Sequence, residues 1–84
     1  MQYGFITFRS VTFAQRGESV LRKAGIECTL QRTPRWMEER GCGYCLRLRR
    51  NAAFDALEQL RQQGVPFRKV YVQRQDGTLE EREL

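Results

Sequence analysis

Tyr44-Cys45-Leu46-Arg47-Leu48-Arg49 decides how this chain folds. Tyr44, Leu46 and Leu48 alternate with Cys45, Arg47 and Arg49, the period of a strand with two unlike faces. A second alternating run precedes it, with Ile26, Cys28 and Leu30 opposite Glu27, Thr29 and Gln31. Only the irregular connection from Arg32 to Gly41 separates the two, so two strands follow one another in the middle of the chain. Cys28 lies on the apolar side of its strand and reads as a small packed hydrophobe.

Working outward, Tyr3 to Phe8 is rich in aromatic and β-branched residues and predicts a first strand. Ser10 or Thr12 can cap a helix whose Ala14, Gly17, Leu21 and Ala24 form one thin apolar stripe. Gly17 inside that helix predicts a close approach to the sheet, and Gly25 supplies the stop. On the other side, Asn51 can cap a second helix with Ala53, Phe54, Leu57 and Leu60 as its buried stripe. Gly64 and Pro66 end it, and Phe67 to Gln73 predicts a fourth strand. Asp76-Gly77 signals a tight turn. The order β-α-β-β-α-β predicts an α+β fold of the ferredoxin-like kind, a four-stranded antiparallel sheet with two helices on one face. Residues 1–74 form the single domain of this reading, and residues 75–84 are an acidic tail or an extra edge strand.

At 84 residues there is room for one core, and apolar and charged shares of 40% and 30% are those of a folded protein. A core this small makes a homodimer plausible. The formal charge is +5, but Asp76, Glu80, Glu81 and Glu83 against Arg82 leave the last ten residues at −3 and the body at +8. Such a body attracts anions: nucleic acid, phosphate groups or an acidic partner protein. The first residues show no basic region followed by a long apolar run, so a cytoplasmic protein without a membrane span is expected.

Three cysteines and no histidine are available. A closed zinc site usually takes four Cys or His ligands, so neither a metal nor another resident cofactor is expected. Without histidine, hydrolytic triads have no obvious base. Attention falls on Arg40-Gly41-Cys42-Gly43-Tyr44-Cys45-Leu46-Arg47. Gly41 and Gly43 let the backbone expose Cys42, and Arg35, Arg40 and Arg47 are cations that would favour a thiolate over a thiol. Cys42 and Cys45 form a C-x-x-C pair, but one that leads into a strand rather than a helix N-terminus, so the match to a thioredoxin-type motif is poor. The pair could form a reversible disulfide or share a bound chalcogen atom. Composition alone leaves Cys42 between a reactive thiol and a turn cysteine without chemistry. Trp36 in the same connection reads as a lid on the core or as part of a functional loop.

Phe5-Ile6-Thr7-Phe8-Arg9-Ser10, Leu21-Arg22-Lys23-Ala24-Gly25-Ile26, Pro34-Arg35 and Gly41-Cys42-Gly43 followed by Leu46-Arg47 resemble a small bacterial family of selenium/sulfur carrier-like proteins. The resemblance spans residues 3–73. It implies that Cys42 is the carrier cysteine, Gly43 its flank, and Arg35 and Arg47 the matching basic positions. It further implies donor and acceptor proteins as partners. Cys45 stands where a small residue such as alanine is usual.

A binding module is the competing expectation. Tyr3, Phe5, Phe67 and Tyr71 would share a sheet face with Arg47, Arg49 and Lys69, an arrangement that stacks single-stranded bases in RNA-recognition modules. The aromatic-rich motif those modules carry on the third strand is absent here. A dimer interface or an edge cluster accounts for the same rings.

Overall fold

The computed structural model describes residues 2–34 and 43–82. Its elements run β1 (Tyr3–Phe8), α1 (Val11–Lys23), β2 (Cys28–Arg32), β3 (Tyr44–Arg49), a 3-10 turn (Arg50–Ala52), α2 (Ala53–Gln62), β4 (Val70–Gln73) and β5 (Leu79–Arg82). The protein is α+β, with two helices and a five-stranded antiparallel sheet in the order β2-β3-β1-β4-β5. The sheet therefore has five strands, not four. Asp76 and Gly77 make the predicted turn, Thr78 N donating to Asp76 Oδ1 at 3.0 Å, and that turn folds β5 back along β4.

Register separates the two faces. Ile6 pairs with Leu46 and Val70, and Leu30 with Leu46, so these residues point one way. They join Phe8, Leu48, and the helical Ala14, Leu21, Ala56, Leu57 and Leu60 in one buried cluster. Tyr3, Phe5 and Thr7 of β1, with Cys45 and Arg47 of β3, alternate to the opposite side.

Ser10 caps α1: its Oγ accepts from Phe13 N at 3.4 Å and its carbonyl from Ala14 N at 3.1 Å. Gly17 is the close approach the sequence predicts, since a Cβ there would lie 2.9 Å from Phe8 Cζ. At the other end Gly25 N donates to Arg22 O and Ile26 N to Leu21 O, with Gly25 at φ 80°, a Schellman ending.

Two details of α2 differ from expectation. Asn51 does not cap it. The chain makes a 3-10 turn first, tied to the residue before β1 by Arg50 N donating to Gln2 O, and the helix starts after Ala52 with no side-chain cap. The buried stripe is then Ala53, Ala56, Leu57 and Leu60, and Phe54 stands 62% exposed on the flank. β4 is also shorter than predicted. Thr7 N donates to Lys69 O and Thr7 Oγ1 accepts from Lys69 N, so this hydroxyl replaces a ladder partner and regular pairing begins at Val70.

Candidate functional site at the hairpin neck

β2 and β3 form a hairpin whose last ladder pair is Arg32 with Tyr44. One step beyond, Thr33 N donates to Gly43 O at 3.0 Å and closes the neck. Gly43 is buried there, and the next residue toward the N-terminus is Cys42. Cys42, Arg35, Arg40 and Gly41 lie outside the described residues.

Cys45 lies two residues into the chain from Gly43, facing away from the helices. It sits opposite Thr7 on one side and Gln31 on the other, and no part of it reaches solvent. Burial pushes its thiol above the ordinary range, while the neighbouring Thr33 and Gln31 side chains partly oppose the shift. Thr33 Oγ1 is itself buried and makes no hydrogen bond of regular geometry among the described residues. Cys45 is thus held as a thiol, close to the neck but enclosed.

Arg47 is not brought to the neck. It pairs with Phe5 and Thr29, and its guanidinium lies 4.8 Å from the centroid of the Tyr3 ring, toward the far end of the sheet. Three residues of strand, about 10 Å, separate it from Tyr44. Two described cations stand at the neck: Arg32, in the last ladder pair with its guanidinium 5.8 Å from the centroid of the Tyr44 ring, and Arg9, which sequence reasoning missed. Phe8 pairs with Tyr44, and one residue beyond on the two strands stand Arg9 and Gly43. The signal was present in the strand order, because a central β1 must end beside the start of β3.

Two cavities flank this sheet at opposite ends. At the neck end, Arg9, Phe13, Pro66, Phe67, Arg68 and Lys69 line a groove of about 610 Å³. At the far corner a cavity of about 720 Å³ includes Tyr3, Arg22, Glu27, Cys28, Arg47 and Arg49 in its walls. Cys28 is half-buried there. Desolvation and the Glu18 carboxylate raise its pKa, and Arg22 acts against them.

The aromatic face is only partly as predicted. Tyr3, Phe5 and Tyr71 share a side with Arg47, but Phe67 packs against the helix-side core with the Arg61 guanidinium 5.8 Å from its ring. Tyr71 is only 9% exposed. Among the described residues no group of three or more Cys, Asp or Glu side chains could hold a metal ion, and no helix is long and apolar enough to cross a membrane.

A family profile described as "Putative Se/S carrier protein-like" matches residues 3–72, from the first residue of β1 to Val72 in β4. The chain belongs to this family. No curated protein and no solved structure matches it. The Se/S carrier-like match contains the whole neck hairpin, both cavities and both helices, and stops before β5.

Proposed function

We propose that this protein carries sulfur or selenium on Cys42 as a persulfide or selenosulfide and passes it between two protein partners. In the sulfur case, the Cys42 thiolate attacks the outer sulfur of a persulfide on the donor. A new S–S bond forms on Cys42, the donor's S–S bond breaks, and the donor leaves as a thiolate. An acceptor thiolate discharges Cys42 by the same exchange. The protein acts as a carrier with a covalent intermediate rather than as an enzyme turning over a metabolite. Membership of the Se/S carrier-like family is the observation that carries this reading.

The neck supports it physically. Gly43, paired to Thr33, anchors the chain immediately after Cys42. Arg35 and Arg40 are the cations assigned to the thiolate, and Arg47, engaged with Tyr3, adds only to the general field. Cys45 joins as a second thiol only when the neck opens, since it is buried and protonated as folded. The strand order β2-β3-β1-β4 with two helices on one side is what a ferredoxin-like βαββαβ unit requires, and we assign residues 1–74 to it, with β5 as an added edge.

Incubation with a cysteine desulfurase and cysteine, followed by intact-mass spectrometry, tests the assignment. The wild type gains the mass of one sulfur atom and Cys42→Ser gains nothing. Loading that persists in Cys42→Ser and disappears in Cys45→Ser or Cys28→Ser refutes it. The alternative, a single-stranded nucleic-acid module, is disfavoured because Tyr71 is nearly enclosed, Arg47 already covers Tyr3, and Phe67 belongs to the other face.

A further inference from the structure

The groove beside the neck has no part in the chemistry just described, yet the charged side chains that line it are all cations. Arg9, Arg68 and Lys69 line it together with Phe13, Pro66 and Phe67, and no carboxylate does. The far corner differs: Glu27 lines it, Arg22 is paired with Glu18 at 3.2 Å, and Arg47 is engaged with Tyr3. Lys69 does contact Glu81 at 3.5 Å, but both side chains are about half exposed, and such a pair contributes at most about 1 kcal/mol and exchanges readily. α1 begins at this groove with no acidic residue in its first turn, which leaves the positive end of the helix dipole unopposed.

We propose that this groove docks an acidic segment of the partner protein. One apolar side chain of that segment enters between Phe13 and Phe67 while its carboxylates meet Arg9 and Lys69. The inference rests on the carrier reading, because the partner in question is the protein that gives or takes the chalcogen. Position argues for it. Arg9 and Gly43 stand one residue beyond the Phe8–Tyr44 pair, so the groove and the root of Cys42 share one end of the sheet. Chemistry argues for a peptide rather than a nucleic acid. Phe13 and Phe67 are packed against the core and Arg61 lies over the Phe67 ring, so no open ring is offered to a base, whereas an aliphatic or aromatic anchor needs only their edges. Rim cations of this kind set orientation and association rate, and the buried anchor supplies the residence time.

The test titrates isotopically labelled protein with an acetylated, amidated hexapeptide, Asp-Glu-Phe-Asp-Glu-Asp, at low salt, and follows amide shifts. Shifts are expected at Arg9, Phe13 and Phe67 to Lys69. The double variant Arg9→Glu, Lys69→Glu, whose spectrum also reports its folding, binds at least about tenfold more weakly. A peptide with glycine for the phenylalanine weakens likewise. Absence of binding, shifts confined to Arg47 and Arg49, or tighter binding of an oligouridylate at the same residues overturns the inference. In parallel, inorganic polysulfide loads sulfur directly onto Cys42, read by intact mass, and the double variant loads as well as the wild type. Loss of that loading in the wild type refutes the carrier reading instead, so the two failures are told apart.

Discussion

The two ends of the sheet hold similar ingredients in opposite arrangements. At the far corner a half-buried thiol, Cys28, lines a cavity with Arg22, Arg47 and Arg49, yet Arg22 is engaged by Glu18, Arg47 by Tyr3, and the thiol pKa is raised. At the neck a fully enclosed thiol, Cys45, sits on β3 of the hairpin, and Arg9, Arg68 and Lys69 line the neighbouring groove. Proximity of arginines to a cysteine in the sequence is thus a poor guide to its ionisation. What matters is which side of the sheet each side chain takes and whether the guanidinium already has a partner.

The largest effect expected from that contrast is kinetic. Alkylation by iodoacetamide at neutral pH should modify Cys28 well before Cys45, which reacts only through an opening that costs a few kcal/mol. A rate ratio of about 10² to 10⁴ follows. Site-resolved mass spectrometry measures it, and the ratio should vanish in denaturant. Equal rates under native conditions would mean that the neck opens as easily as the far corner.

Two glycines sharpen the same contrast through stability. A Cβ on Gly17 would stand 2.9 Å from Phe8 Cζ and 3.3 Å from Leu46 Cδ1, and both side chains are fully buried and cannot swing aside. Gly17→Ala should therefore cost about 1–3 kcal/mol from overpacking, offset by at most about 1 kcal/mol of helix propensity. Gly25, at the far corner, has nothing within 4 Å of such a Cβ but holds φ 80°. Gly25→Ala should cost about 1 kcal/mol through the backbone alone. Chemical denaturation of both variants compares the crowded neck side with the open corner.

Alkaline titration gives a smaller signal with a definite sign. The Cys45 thiol has a folded pKa above its ordinary value of 9.0, because burial disfavours the thiolate. The unfolded chain therefore loses this proton first and binds fewer protons than the native state, so stability falls as pH rises through and above about 9. The same sign holds for Cys28. Cys45→Ala should flatten the alkaline slope of denaturation midpoint against pH. An unchanged slope would remove Cys45 from the account.

Much of this architecture was legible in the residues. The alternation of Tyr44 to Arg49 and of Ile26 to Gln31 placed β3 and β2 next to each other, and Ser10, Gly17 and Gly25 set the limits and the tight face of α1. Local signals failed where tertiary contacts decide. Asn51 is a good cap by itself, but Arg50 N bonds to Gln2 O, the segment forms a 3-10 turn and the helix starts after it; Phe54, one residue on from Ala53 and so about 100° around the helix, falls outside the buried stripe. Phe67 was placed by strand alternation, yet pairing begins only at Val70, so the alternation does not extend back to it. At the site, the grouping of Gly43, Cys45 and Thr33 follows from hairpin pairing and could be read. Arg9 could not be found by spacing, since it reaches the neck only through the β1–β3 register.

The subtlest test concerns the neck's own defect. Thr33 Oγ1 is buried beside Cys45 with no hydrogen bond of regular geometry among the described residues, although Thr33 N is well bonded to Gly43 O. A buried hydroxyl without a partner is a cost, and a methyl group of the same shape has none to incur. Thr33→Val should thus be neutral or stabilising by up to about 1 kcal/mol, the reverse of what removing a working hydrogen bond would do. It should also take away the aid this hydroxyl gives the Cys45 thiolate, leaving that thiol still harder to ionise. A measured loss above about 1 kcal/mol would mean that the hydroxyl does bond and that the neck is a satisfied polar cluster. Either result decides whether this hydroxyl stabilises the closed neck or weakens it.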